Sequence, residues 1–118
     1  MKLSHFIFCI IILLLASQSV VAQTSLQTDT ITVNGECESC KKRIEKTALS
    51  VGVIAANWNE TTKNLVVTYA PAKVTNAQIQ LAIAAAGHDT EKATASKAAY
   101  LKLPECCQYE RKKIAKTH

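Results

Sequence analysis

The sequence predicts a small α+β domain in which two helices cover one face of an antiparallel sheet. Residues 30–33 alternate polar with apolar side chains, as expected of a strand with one buried face. Two apolar runs, 53–58 and 65–69, flank a polar connection and have the pattern of a β-hairpin. Two further stretches repeat apolar residues at helical spacing, and glycines that can end a helix, Gly52 and Gly87, follow them.

The predicted elements follow one another in the order βαββαβ. The first helix covers about residues 39–50, and Thr75 and Gln78 have the spacing of a capping box that starts the second helix. A short fourth strand over residues 89–93 completes a four-stranded antiparallel sheet, which is the ferredoxin-like arrangement. Residues 96–103 can form one or two helical turns in a short C-terminal extension that the predicted core does not require.

The N-terminal residues have the anatomy of a secretory signal peptide. Lys2 precedes an apolar run from Phe6 to Ala16, and small residues follow as far as Ala22. The run is shorter than the roughly 20 apolar residues that a permanent membrane helix needs. We therefore expect cleavage after Ala22, loss of Cys9 with residues 1–22, and export of a soluble protein to a periplasmic or extracellular compartment.

The rest of the chain has room for one domain. We expect a disordered lead over residues 23–28, the domain over 29–95, and an extension over 96–118 that contains a cysteine pair and a basic tail. The chain has a formal net charge of +5, but residues 23–110 carry equal numbers of basic and acidic side chains. The basic excess therefore belongs to a loose, solvated tail, and nothing in it predicts a nucleic-acid partner.

Cys37 and Cys40 lie where the first predicted strand gives way to the first helix. Thiolates are the form of cysteine that binds metal, and a helix N-terminus lowers thiol pKa values. The basic residues Lys41, Lys42 and Arg43 act in the same direction. Two soft thiolates suit a low-coordinate soft ion, with monovalent copper favoured and mercury, silver or zinc as alternatives, although a structural zinc site normally takes four ligands.

This arrangement resembles a heavy-metal-associated domain, a family that includes copper chaperones, periplasmic mercury-binding proteins and the metal-binding modules of metal-pumping ATPases. The resemblance covers about residues 29–95 and is carried by the loop 33–40, which reads VNGECESC, and by the Ala86-Gly87-His88 segment. It implies that Cys37 and Cys40 are the metal ligands. Gly35 departs from the family pattern, because a methionine that packs beneath the metal loop is usual at this position.

Three further residues are candidate ligands. His88 follows the second predicted helix, and the resemblance places it near the metal loop, where it either completes the site or simply caps a turn. Cys106 and Cys107 are adjacent, so they cannot easily bridge each other without strain. They can fold back to add thiolates to the site, bind a second ion or pair with another chain, or have no role; a metal or redox role is favoured.

The sequence supports one leading function and two alternatives. The leading prediction is a non-enzymatic metal carrier or scavenger that passes its ion to a metal-transporting or efflux protein by thiolate exchange. A disulfide between Cys37 and Cys40 is an alternative, although so short a loop restrains the unfolded chain little. A thiol-disulfide redox protein is the other, although the predicted element order does not match its usual fold. A metal-bridged dimer of two chains is a further alternative.

Overall fold

The computed structural model describes residues 2–15 and 25–111. Its elements in chain order are α1 (Lys2–Leu15), β1 (Gln27–Thr32), α2 (Glu38–Ser50), β2 (Ala55–Trp58), β3 (Asn64–Tyr69), α3 (Asn76–Ala85), α4 (Lys97–Leu101) and a 3-10 turn, η1 (Glu105–Cys107). Within these ranges no helix has both the length and the apolar character needed to cross a membrane. The predicted cleavage site after Ala22 lies outside the described residues.

Strands β1, β3 and β2 form an antiparallel sheet with β3 in the centre. Strand β1 begins at Gln27, so the prediction of a disordered lead is wrong for Gln27 and Thr28, which pair with Tyr69 and Thr68. The polar side chains in this stretch find partners on β3: the Gln27 amide donates to the Tyr69 hydroxyl, and the Thr28 and Thr68 hydroxyls lie 3.1 Å apart. The α+β class is confirmed.

The predicted fourth strand over 89–93 does not form in the described part of the chain. Thr90 makes a single isolated bridge with Val33, and the sheet has three strands. The chain turns here because its backbone groups find closer partners: the Thr90 N–H donates to the Ala93 carbonyl at 2.8 Å, and the Lys92 N–H donates to the Gln80 side chain at 3.0 Å. Backbone pairing with the end of β1 is therefore limited to two bonds, from the Asn34 N–H to the Asp89 carbonyl at 2.9 Å and from the Glu91 N–H to the Thr32 carbonyl at 3.1 Å.

Both core helices begin and end close to the predicted positions. The capping box is confirmed, since the Thr75 hydroxyl accepts from the Gln78 N–H and the Gln78 side chain accepts from the Thr75 N–H. The apolar stripes of α2 and α3 and the inward side of the sheet form one buried core. Its strand and helix members include Ile31, Ile44, Ala48, Trp58, Leu65, Val67, Tyr69, Ile79 and Ile83, and Val33 joins them from just after β1.

The C-terminal extension belongs to this core, which corrects the expectation that the core does not require it. Leu103, Cys107 and Tyr109 are all buried within the same cluster. Arg111, expected in a loose tail, forms a bidentate ion pair with the Asp89 carboxylate at 2.9 and 2.8 Å and donates to the Ala95 carbonyl. The extension folds back because three apolar side chains and one ion pair find partners on the domain.

Replacing Tyr109 with phenylalanine is expected to lower the free energy of unfolding by about 2 kcal/mol. The buried hydroxyl donates to the Gly87 carbonyl at 2.9 Å and accepts from the Asp89 N–H at 2.7 Å, so its removal leaves two buried backbone groups without a partner. Urea unfolding followed by the fluorescence of Trp58, the single tryptophan of the chain, measures the change.

Tyr100→Phe is the matched control for this prediction. The Tyr100 hydroxyl donates to the Tyr109 carbonyl, but Tyr100 is part-exposed and water can replace the lost donor. We expect a cost below about 1 kcal/mol. Equal losses in the two variants would contradict the importance assigned to the Tyr109 hydroxyl.

Candidate metal centre

Cys37 and Cys40 meet at the N-terminus of α2. Cys37 is the N-cap residue with an extended backbone (φ −138°, ψ 175°), and Cys40 lies in the first helical turn. The Sγ atoms of Cys37 and Cys40 are 3.4 Å apart. Cys37 is half-buried and Cys40 is buried, so Cys37 is the more accessible sulfur of the pair. The unsatisfied N–H groups at the helix start favour negative charge at this point.

A third sulfur, from the C-terminal extension, lies beside this pair. The Cys107 Sγ is 3.4 Å from the Cys37 Sγ, and the Sγ atoms of Cys37, Cys40 and Cys107 all lie within 4.8 Å of one another. We call these three atoms the sulfur cluster. Cys106 does not belong to it: its side chain is exposed, and its Sγ is 4.0 Å from the Cys107 Sγ. Of the two adjacent cysteines in the extension, the fold therefore brings one to the pair.

Burial and hydrogen bonds affect the pKa values of Cys37 and Cys107 in opposite directions. Burial by itself would raise the pKa of Cys37, but hydrogen bonds from Cys40, from Cys107 and, least, from Cys106 outweigh it and lower the pKa to about 7. Burial raises the pKa of Cys107 to about 12, even though the Arg43 Nη1 lies 3.2 Å from its Sγ and acts in the opposite direction. Of these two thiols, Cys37 therefore loses its proton more readily than Cys107.

Of the basic residues predicted to favour thiolates, Arg43 contacts a sulfur directly. Lys41 is engaged elsewhere, since its Nζ bonds the Glu45 carboxylate at 2.8 Å and the Trp58 carbonyl at 2.7 Å. From the sequence, Arg43 was expected only to help lower the thiol pKa values at the helix start. Its specific contact with Cys107 depends on where the extension folds, and no local pattern in the sequence indicates it.

His88 is buried near the metal loop but lies outside the sulfur cluster. Its Nδ1 donates to the Asn34 carbonyl at 2.8 Å, and its ring stacks on Tyr109 at 5.8 Å between centroids. Burial lowers the pKa of His88, so the imidazole is neutral near pH 7. Its Nε2 is buried and has no hydrogen-bond partner among the described residues. The contact with Asn34 joins the segment after α3 to the metal loop. His88 is not grouped with the three sulfur atoms as a metal ligand.

Trp58 supports the metal loop at Gly35, the position that departs from the pattern expected from the resemblance. The indole N–H donates to the Val33 carbonyl at 3.0 Å. A Cβ atom at Gly35 would lie 3.1 Å from the Trp58 ring and 3.1 Å from the Cys40 Cβ, so the indole occupies the space next to the loop. Lys63 adds a second support, because its Nζ donates to the Gly35 carbonyl at 2.6 Å.

Introducing methionine at position 35 is therefore expected to destabilise the protein. Gly35→Met should lower the free energy of unfolding by about 2 kcal/mol, because the new side chain crowds Trp58 and Cys40. In the double variant Gly35→Met/Trp58→Leu, the smaller leucine makes room, so the combined loss should be less than the sum of the single losses by at least about 0.5 kcal/mol. Urea unfolding followed by circular dichroism measures all three variants. If the losses of the two single variants added up exactly in the double variant, Trp58 would not be what limits the space at position 35.

The fold and the sulfur cluster define a small α+β domain with a thiol site at the start of its first core helix. The family model of the heavy-metal-associated domain matches residues 30–89, and the chain belongs to this family. The match ends before residue 96, so the extension that carries Cys107 lies outside the matched region. No curated protein sequence is similar enough to be counted as a relative.

Three solved structures illustrate the similarity. The CopZ metallochaperone is 29% identical (TM-score 0.53), with 54% of this chain and 98% of that chain covered. Oxidized MerP from Ralstonia metallidurans CH34 is 30% identical (TM-score 0.54), with 57% and 96% covered. The N-terminal soluble domains of Bacillus subtilis CopA are 34% identical (TM-score 0.53), with 56% of this chain and 46% of that chain covered, so the chain spans about half of that structure.

Proposed function

We propose that this protein is an exported, non-enzymatic carrier or scavenger of one soft metal ion, held by the thiolates of Cys37 and Cys40. The observation that carries the proposal is the approach of their Sγ atoms to 3.4 Å at a helix N-terminus. Among the described residues, the side chains that lie close enough together to hold an ion are Cys37, Cys40 and Cys107, and each offers a sulfur atom. Sulfur donors select soft ions, and carboxylate-preferring ions such as magnesium and calcium do not suit the site.

Monovalent copper is the ion that we propose, with mercury as its main competitor and silver or zinc less suited. The structural similarity to a protein described as the CopZ metallochaperone supports copper, and the similarity to MerP keeps mercury in the comparison. Zinc is disfavoured because its structural sites normally take four ligands, and the sulfur cluster offers three.

Transfer to a partner proceeds by thiolate exchange in this proposal. An incoming thiolate from the partner approaches the ion on the side of Cys37, which is the more accessible sulfur. The ion is held by old and new ligands together before the old ones leave, so it is never released to water. A shallow depression lined by Ser39, Lys42, Arg43, Lys46 and Thr47 adjoins the start of α2 and gives the surface a positive charge that suits an acidic partner. A metal-transporting or efflux protein is the partner class that we propose.

Export rests on the N-terminal segment. Residues 2–15 form the apolar helix α1, as expected for the central part of a signal peptide. We propose that cleavage after Ala22 removes this helix together with Cys9 and leaves the heavy-metal-associated domain in the exported compartment. Sequencing the N-terminus of the protein recovered from that compartment tests the cleavage site.

Native mass spectrometry of the purified, reduced protein under anaerobic conditions tests the metal-binding function. We expect one tightly held monovalent copper ion per chain, retained during competition with a copper chelator. Parallel titrations with mercury(II) and zinc(II) rank the competing ions. Failure to retain copper or mercury would refute the proposal.

A thiol-disulfide redox function is the second candidate, because Cys37 has a lowered pKa of about 7 and two neighbouring sulfurs at 3.4 Å. An insulin-reduction assay without added metal separates the two functions. We expect no catalysis above the rate with free dithiothreitol. Sustained turnover that needs Cys37 would favour the redox function over metal transport.

A further inference from the structure

The C-terminal extension places a sulfur atom in the metal centre from outside the matched family region. Cys107 follows the end of that region by 18 positions, yet its Sγ lies 3.4 Å from the Cys37 Sγ. Cys107 is fully buried, and its sulfur forms a mutual group with those of Cys37 and Cys40. The three sulfurs converge on one point and do not form two separate sites.

The position of Cys107 is fixed by its backbone and by the residues that follow it. The Cys107 N–H donates to the Pro104 carbonyl at 2.8 Å, and its own carbonyl accepts from the Tyr109 N–H at 2.9 Å. Beyond it, Tyr109 bonds Gly87 and Asp89 in the interior, and Arg111 pairs with Asp89. The residues that follow Cys107 in the chain thus attach the extension to the domain, and this attachment holds the Cys107 sulfur against the metal loop.

The contact with Arg43 separates a ligand from an ordinary core cysteine. A buried cysteine that merely fills space behaves as a small apolar side chain and needs no charged neighbour. Here the Arg43 Nη1 lies 3.2 Å from the Cys107 Sγ, within reach of a charge-assisted hydrogen bond to a thiolate. Three thiolates around a monovalent or divalent ion carry a net negative charge, and the guanidinium offsets part of it.

We propose that Cys107 is the third ligand of the metal centre, so that the site takes soft ions that accept three sulfur donors. This inference rests on the proposed function and names the coordination of the same site. With the zinc–sulfur distance of about 2.3 Å as a guide, an ion at the centre of three sulfurs needs sulfur–sulfur distances of about 4 Å. The described cluster, with two distances of 3.4 Å and all within 4.8 Å, lies close to that requirement.

The third sulfur changes how the ion is exchanged. Because Cys107 belongs to the same chain, the three-coordinate state that a partner thiolate would otherwise create already exists within the protein. A partner must therefore displace Cys107 as well as the loop cysteines before it holds the ion alone. We expect slower release than from a site with two sulfurs, which suits retention of the ion until a specific partner docks.

X-ray absorption spectroscopy of the purified protein loaded with less than one equivalent of copper(I) or mercury(II) tests the proposal. Samples are kept reduced and anaerobic so that no disulfide forms between the cluster sulfurs. The parent is expected to show three sulfur ligands, and Cys107→Ser is expected to show two. Cys106→Ser is the matched control, because it removes the neighbouring exposed thiol that lies outside the cluster, and it should keep three.

Two further samples keep the test decisive. Cys107→Ala replaces Cys107→Ser if serine disturbs the buried site, since alanine adds no polar group, and circular dichroism checks the fold. The double variant Cys106→Ser/Cys107→Ser shows whether Cys106 moves in when Cys107 is lost. Two sulfurs in the parent, or three in both the Cys107 variant and the double variant, would overturn the third-ligand assignment while leaving the proposed function intact. A parent that binds neither ion would instead overturn the proposed function.

Discussion

Replacing both Cys37 and Cys40 by serine is expected to abolish tight binding of copper(I). The double variant retains one member of the sulfur cluster, Cys107, and a single thiolate cannot chelate an ion. Each single variant retains two sulfurs and should bind roughly 100- to 10,000-fold more weakly than the parent, because one of the linked contacts to the ion is lost. Competition against a chelator of known copper affinity, performed anaerobically with reductant, measures the change.

Ser39→Ala is the matched control for the cysteine variants. Ser39 lies between the two cysteines in the first turn of α2, is exposed, and has no described contact with the sulfur cluster. It should bind copper as tightly as the parent. If Cys37→Ser and Cys40→Ser both bound copper as tightly as Ser39→Ala, the assignment of the pair as ligands would be wrong.

Replacing Gly87 by alanine should destabilise the protein by about 3 kcal/mol or more, the largest stability effect that we expect from a single added methyl group. Gly87 has φ +107°, a conformation that residues with a Cβ atom rarely adopt. The added Cβ would also lie 2.9 Å from the Ala99 carbonyl oxygen and 2.9 Å from two atoms of the Leu103 side chain, so α4 and the residues after it must shift. Urea unfolding followed by Trp58 fluorescence measures the loss.

Gly52→Ala separates the two causes of this loss. Gly52 follows α2 with a similar φ of +110°, but its Cβ would meet nothing closer than Val74 at 4.0 Å. This variant should lose only the conformational contribution, about 1–2 kcal/mol. The excess loss in Gly87→Ala therefore reports the packing of the extension against the domain. Equal losses of unfolding free energy in the two variants would mean that the extension does not pack closely against Gly87.

Displacement of the extension in Gly87→Ala has a consequence at the metal centre as well. Leu103 lies four residues before Cys107 in the same folded segment, so a shift of that segment moves the third sulfur. We expect the number of sulfur ligands around bound copper to fall from three toward two in Gly87→Ala and to stay at three in Gly52→Ala. The stability effect and the coordination effect thus share one structural cause.

Much of the domain could be predicted from the sequence because the relevant forces act over a few residues. The Thr75 and Gln78 capping box, the hairpin and the helix stripes are local patterns, and each is confirmed. The prediction of a fourth strand was wrong for a non-local reason. The Lys92 N–H donates to the side chain of Gln80, which lies twelve residues earlier on α3, and the chain turns instead of extending. The Gln80 side chain gives no signal of that role in the sequence.

The sequence by itself determined the order of the elements from β1 to α3, the position of the Cys37–Cys40 pair at the start of a helix, and the soft character of its donors. The tertiary structure decided that Cys107 joins the pair, that Cys106 stays outside, and that Arg43 faces the third sulfur. Cys37 and Cys107 are 70 positions apart, so their contact depends on the burial of Leu103 and Tyr109 and not on spacing along the chain. Local patterns fix which residues start a helix, whereas long-range burial fixes which distant side chains meet there.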